Sequence, residues 1–274
     1  MASTSTLQTA ERPRAFVAVR GRDAAAYLNR MVSNEVEDMP IGEAREALLL
    51  TPKARIVAPL VAWRRGAEDY LLVTEPESGE RLARELVRGR FAAKCTIELE
   101  EHRSTVVLGE PALSALRHEQ GFATADYGVS AVELVDAEPP DDAEPVASDE
   151  LERLRILART PRLGRELDDR VMPAEAGLEE RAISFTKGCY PGQEPVARLH
   201  YRGRANRNLR LLAIEEGERP APDAELVLDG TVVGRVTSAA PDPERGLVAL
   251  AYVRREVPRD AELALGGRRV RQLG

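Results

Sequence analysis

The stretch Lys187-Gly188-Cys189-Tyr190-Pro191-Gly192-Gln193-Glu194 constrains the fold more sharply than any other in the chain. Glycine reaches backbone conformations closed to other residues, and proline fixes one dihedral. A cysteine set between Gly188 and Gly192, beside a Tyr-Pro turn, is therefore expected on a tightly bent, exposed loop rather than inside a regular element. Lys187 precedes it closely and Arg198 follows on the same segment. Nearby cations favour thiolate over thiol, the form that attacks electrophiles and binds metals. The alternative is a buried free cysteine packed beside a structural turn.

A chain of 274 residues exceeds one ordinary core, so two or three domains are expected. With 39 basic and 46 acidic residues the net charge is −7, which argues against general electrostatic affinity for nucleic acid or an anionic membrane. Cys95 and Cys189 are the only cysteines. They cannot form a disulfide framework, and this fits a reducing cytoplasm. Nor can they supply four ligands, so no stably bound metal or cluster is expected from this chain alone. The Ser/Thr-rich Met1 to Ala10 lacks the apolar core of a signal peptide, and no apolar run reaches the length of a membrane span. The expectation is a soluble cytoplasmic protein with no membrane partner.

Residues 1–13 read as a disordered tail. Ala15 to Val19 read as a strand, followed by a helix capped by Asp23. Further strands are read at Glu46 to Leu50, Ile56 to Trp63, Tyr70 to Thr74, Cys95 to Leu99, Thr105 to Leu108 and Ala131 to Val135, with Cys95 as core filler. Ser78 to Gly89 reads as an amphipathic helix with Leu82, Leu86 and Val87 inward. Pro111 opens a third helix to Glu119, and Ser148 caps a fourth through Leu157. Between them, Asp136 to Glu152 holds eight acidic residues, three prolines and no base, a solvated loop by composition. Ile183 to Thr186 is expected to be a short strand delivering the Cys189 loop. After Gly203, short strands recur at regular spacing (Leu209 to Ile214, Glu225 to Leu228, Val232 to Thr237, Leu247 to Tyr252, Ala261 to Leu265). Asp229-Gly230 and Gly266-Gly267 mark hairpin turns, and the pattern suggests a small closed barrel. The whole reads as α+β, antiparallel sheets carrying helices on one face.

The seventeen residues KGCYPGQEPVARLHYRG, Lys187 to Gly203, resemble the signature of the YgfZ-type folate-binding proteins of iron–sulfur cluster maintenance, which are sisters of the glycine cleavage aminomethyltransferase, or T-protein. Gly21-Arg22-Asp23-Ala24 through Leu28, followed by Ser33-Asn34-Glu35-Val36, resembles that family's opening, and Met172 to Leu178 its path into the signature. The resemblance implies two intertwined ferredoxin-like subdomains over 1–205, a C-terminal barrel over 206–274, and tetrahydrofolate or a derivative bound where they meet. It further implies iron–sulfur client or assembly proteins as partners, among them tRNA-modifying enzymes, with tRNA itself a weaker candidate.

The chain departs from the transferases at two places. Their catalytic aspartates fall on Ala58 and Pro59, which cannot exchange a proton with a cofactor nitrogen. Their pterin-binding carboxylate falls on Leu157, leaving Glu175 or Glu194 as candidate replacements. A conventional aminomethyltransferase is thus not expected; a one-carbon transferase with a relocated acid or base, and a non-catalytic docking module, remain as rivals. Lys187 to Arg210 carries six cations and one carboxylate. This is either a solvated face paired with the acidic loop, or a site for a folate polyglutamate tail or an RNA phosphate. The expected roles are these: Cys189 is a reactive or transiently metal-ligating thiolate, with Lys187 holding its charge. Gln193 and Glu194 shape the loop or meet a ligand's polar edge. Arg198 and Arg202 bind the loop carboxylate or an anion, Tyr190 stacks on a flat ring, and Asn34 is a turn residue or lines a pocket.

Overall fold

The computed structural model describes residues 6–110, 112 and 120–274; the expected helix from Pro111 to Glu119 lies outside the described residues apart from Ala112. The first sheet has the order β3-β4-β5-β2-β6, built from β2 (Ala15–Arg20), β3 (Ala44–Leu50), β4 (Ile56–Gly66), β5 (Asp69–Thr74) and β6 (Thr96–Glu100). Its pairings are all antiparallel. Strands buried on one face alternate in polarity, and here alternate residues diverge to two cores. Val17, Val19, Ala58, Leu60 and Ala62 pack under helices α1 (Ala24–Met31) and α2 (Gly79–Gly89), with Tyr27, Leu28, Leu82, Leu86 and Cys95. Phe16, Ala18, Trp63, Leu71 and Val73 face the other way and meet Phe122 and Val135 of a second sheet.

That second sheet has the order β10-β1-β7-β9-β8, from β1 (Gln8–Glu11), β7 (Ser104–Leu108), β8 (Gly121–Ala123), β9 (Ala131–Val135) and the two-residue β10 (Glu144–Pro145). It departs from a purely antiparallel sheet at one edge, where β10 runs parallel to β1. Residues Gln8 to Glu11 are therefore not a disordered tail. They form an inner strand because both neighbours satisfy their backbone groups, despite a sequence, QTAE, with no apolar face.

The chain crosses between the sheets twice, from β1 to β2 at Arg12-Pro13-Arg14 and from β6 to β7 at Glu101 to Arg103. The first crossing is held by buried charge. Arg14 grips Glu133 of β9 with Nε and a terminal nitrogen, each 2.8 Å from a carboxylate oxygen, and donates to Glu75 at 3.1 Å. Arg12 donates to Asp126 at 2.7 Å. Glu133 is fully buried and also accepts from Ser104 Oγ at 2.7 Å. At the second crossing His102 lies between Glu100, 2.9 Å from Nε2, and Asp136, 2.5 Å from Nδ1.

The third unit is a closed barrel of order β11-β14-β13-β12-β15-β16: β11 (Arg207–Ile214), β12 (Glu225–Leu228), β13 (Thr231–Asp242), β14 (Gly246–Arg254), β15 (Leu263–Leu265) and β16 (Arg268–Leu273). The sequence reading lacks β16, whose alternate arginines hide the inward Val270. Helix α3 (Ser148–Leu157) packs on the barrel, and its Arg155 joins Glu166, which in turn accepts from Ser238 Oγ of β13 at 2.6 Å.

Several local expectations change. Asp23 sits at the N-cap position of α1, but its carboxylate accepts from the Lys94 amide rather than from the helix. Val87 is exposed on the outer face of α2. Ile183 to Thr186 form no strand; Ser184 instead donates its amide to Ser33, whose hydroxyl donates to the Ala182 carbonyl. Among the described residues the acidic stretch pairs with His102, Arg103, Arg162, Arg219 and its own helix, and not with the basic segment after Cys189.

Removing one partner from the first crossing strands a buried charge, so Arg14→Leu is expected to cost about 3–5 kcal/mol. The double change Arg14→Leu with Glu133→Leu should recover much of that loss. Denaturant unfolding of the three proteins checks both.

Candidate functional site

The two sheets do not close fully against each other. Between them lies a cleft of about 1180 Å³, lined by Asn34, by Arg45, Glu46 and Val61 from β3 and β4, by Thr124, Val129, Ser130 and Ala131 around β8 and β9, and by Arg181. Behind it, toward the crossing, a smaller cavity of about 60 Å³ shares Glu46, Val61 and Arg181 and adds Arg12, Arg14, Pro59, Glu75 and Asp126. Glu46 reaches this space because β3 alternates: Ala47 and Leu49 enter the helical core while Glu46 points to the opposite face.

Charge along the cleft floor is ordered. Arg181, from the short helix α4 (Glu179–Ala182), donates to Glu46 Oε1 from Nε at 3.1 Å and from a terminal nitrogen at 2.5 Å, to Asp126 at 2.9 Å and to Thr160 Oγ1 at 3.0 Å. Burial opposes ionisation of Asp126, yet Arg12, Arg14 and Arg181 outweigh it and hold the carboxyl down at about 2. For Glu46 the balance tips the other way. Burial raises its pKa, with Arg181 opposing. Among the described residues, no donor reaches Glu46 Oε2, and the side chain keeps 28% of its surface open. These charged residues carry no motif. The signal available in the sequence is a lone Glu or Arg inside or beside an apolar strand, as in Glu46-Ala-Leu-Leu-Leu and Ala-Val-Glu133-Leu-Val.

Of the residues singled out from sequence, the structure brings Asn34 to the cleft. Its amide is committed to backbone: Oδ1 accepts from the Glu35 amide, and Nδ2 donates to the carbonyls of Glu46 and Arg181. Ala58 lies fully buried among the helical core, and Pro59 borders the smaller cavity, so neither transferase position offers a carboxylate. Leu157 packs beside the barrel core. Glu175 is spent on a turn and on the barrel, accepting from the Met172 amide and from Arg207 Nε at 3.2 Å.

The Cys189 loop is elsewhere. Cys189 is exposed and does not line the cleft. Gly192 takes φ +85°, and a Cβ there would lie 2.6 Å from the Thr51 carbonyl oxygen, so the loop packs against the β3–β4 turn as only glycine permits. Helix α5 (Gln193–Arg202) starts immediately afterwards, so Gln193 and Glu194 form its first turn instead of a loop. Tyr190 is buried, its hydroxyl has no hydrogen-bond partner among the described residues, and burial pushes its pKa up to about 12. Arg198 and Arg202 are exposed and make no ion pair among the described residues, so they do not bind Glu194.

Lys187 is not an exposed neighbour of the thiol. Its buried ammonium donates to the carbonyls of Asn29 at 2.5 Å, Val32 at 2.9 Å and Asn34 at 2.7 Å. These belong to the end of α1 and the chain just beyond, where free carbonyls gather negative potential. Burial lowers its pKa to about 8, with Glu35 and Glu37 opposing. The lysine's charge is therefore used to fasten the loop to α1.

Two layered sheets around a cleft, joined to a closed barrel, define the class of protein. Residues 14–116 match the family described as the GCVT N-terminal domain. The fold matches the crystal structure of the glycine cleavage system aminomethyltransferase T from Bartonella henselae with a TM-score of 0.85 at 20% identity, over 99% of this chain and 86% of that one. An aminomethyltransferase of Streptomyces avermitilis is 25% identical over 86% of this chain and 75% of its own length. A putative chloroplastic transferase of Arabidopsis thaliana is 26% identical over 88% of this chain, which spans 63% of that protein. An uncharacterized protein of Haemophilus influenzae is 24% identical over 82% of this chain and 81% of its own. The similarity is thus to the GCVT-like superfamily, and the fold is GCVT-like throughout. No helix among the described residues is long and apolar enough to cross a membrane.

Lys187→Met would leave three carbonyls without their charged donor, with an expected loss of about 3 kcal/mol in thermal or denaturant unfolding. Cys189→Ala, at an exposed position, should stay within about 0.5 kcal/mol of the parent.

Proposed function

We propose that this chain binds a reduced folate in the inter-sheet cleft and supports assembly or repair of iron–sulfur clusters in client enzymes, with Cys189 as its working thiol. Tetrahydrofolate, when bound, supplies nitrogens that carry one-carbon units. The cleft fits such a ligand: Val61, Val129 and Ala131 offer an apolar wall for a flat ring, and Glu46, with one oxygen unbonded among the described residues, lines the same space. The observation that carries the reading is the pairing of Ala58 and Pro59, which remove the transferase carboxylates, with a Cys189 signature held at the surface. The thiol stands on a rigid mount made by Lys187, Gly192 and α5, with Arg198 and Arg202, which make no ion pair among the described residues, on the same helix. That setting suits a transient ligand to a client's iron, or an acidic client surface. tRNA-modifying enzymes are candidate clients, and cytoplasmic residence fits two unpaired cysteines.

A one-carbon transferase is the second reading, and Glu46 favours it as a carboxylate in the cleft that could stand in for the missing aspartates. Titration with 5-formyltetrahydrofolate by calorimetry is expected to show binding, and aminomethyl transfer to tetrahydrofolate is expected to be negligible. Robust turnover would select the transferase. In cells lacking the parent protein, Cys189→Ala is expected not to restore iron–sulfur enzyme activities; full restoration would remove the thiol from the function.

A further inference from the structure

A flat ring carrying an amino group beside a ring N–H demands an acceptor when it leaves water, and Glu46, at the inter-sheet cleft, has an oxygen without a donor among the described residues. We propose that Glu46 supplies it: its carboxylate reads the donor edge of a flat, amino-substituted heterocycle in the inter-sheet cleft. This rests on the folate-binding reading above and names the residue that recognises the ring.

The geometry converges on this residue. Glu46 borders both the large cleft and the small cavity, so its carboxylate stands where the space narrows toward the buried seam. Arg181 holds Oε1 from two nitrogens and is itself fixed by Asp126 and Thr160, so the carboxylate is oriented before a ligand arrives. Asn34 Nδ2 donates to the Glu46 carbonyl at 2.8 Å and pins the strand at the same residue. Oε2 is the oxygen left for a ligand, and its two lone pairs can accept from the ring's amino group and from the N–H beside it. A polar group fixed in this way loses little entropy on binding.

Ionisation gives the proposal a distinctive signature. The charges around Glu46 are Arg181 from α4, Asp126 from the β8–β9 loop and Arg12 from the crossing; Arg45 and Glu110 also line the cleft. Burial raises the Glu46 pKa above the ordinary carboxylate range. Only the ionised form leaves Oε2 a pure acceptor, because protonation would turn it into a donor facing the ring's own donors. Affinity should therefore be full above the raised pKa and fall as pH drops through it, earlier than an ordinary glutamate would allow.

The test is calorimetric titration of 5-formyltetrahydrofolate at several pH values. Glu46→Gln should raise Kd at least about tenfold at pH 7.5 and remove the protein-dependent loss of affinity on acidification. Glu225→Gln, on the barrel and outside both cavities, should leave both unchanged. If the parent protein binds and Glu46→Gln binds within about twofold with the same pH profile, the Glu46 assignment is overturned while folate binding stands. If the parent itself binds no folate, the underlying reading fails instead. Should Glu46→Gln not fold, the parent protein titrated with a 2-desamino analogue decides: a loss of about tenfold supports the assignment, and unchanged affinity overturns it.

Discussion

The ion-pair seam at Arg12-Pro13-Arg14 is the constraint on which the rest depends. Two sheets that exchange strands can slip or splay unless something fixes their relative placement. Here Arg14 clasps a wholly buried Glu133 in the second sheet while reaching Glu75 just past the end of β5, and Arg12 anchors Asp126. Taking these charges out of water is costly, and the gain in stability over an apolar seam is small. What buried pairing supplies in this arrangement is register. An arginine fork matches one carboxylate in one orientation, whereas apolar packing such as the Trp63–Phe122 ring contact tolerates sliding.

The cleft follows from that seam. The sheets meet at the crossing and part beyond it, and the same network runs out through Asp126 and Arg181 to Glu46 at the cleft floor. One short segment then connects this interior to the surface. Asn34 gives its side-chain amide to the Glu46 carbonyl, and its own carbonyl accepts from Lys187, two residues before Cys189. A single backbone position thus supports the cleft on one side and the thiol loop on the other. The geometry separates the cleft from the Cys189 loop while tying both to a common support, as the proposed division of labour between them requires.

Much of this architecture is legible in the sequence. Alternating apolar residues mark most strands of the first sheet and barrel, and Asp229-Gly230 and Gly266-Gly267 mark two barrel hairpins. The bent, exposed Cys189 loop follows from Gly188, Pro191 and Gly192. What escapes the sequence is set by tertiary partners. Gln8 to Glu11 become a strand only because β7 and β10 flank them. Lys187 reads as a neighbour of the thiol because sequence distance says nothing of α1, whose end it fastens. Glu46, Asp126 and Arg181 belong to no motif and are far apart along the chain; only folding brings them to one floor.

The central claim is that the ligand lies between the sheets and the thiol works elsewhere. A crystal structure with bound 5-formyltetrahydrofolate tests it most directly. The account predicts the ring in the cleft against Val61 and Ala131, its amino edge on Glu46, with no contact to Cys189. A ring seated on the Gly188–Gly192 loop, with the inter-sheet cleft filled only by solvent, would contradict it.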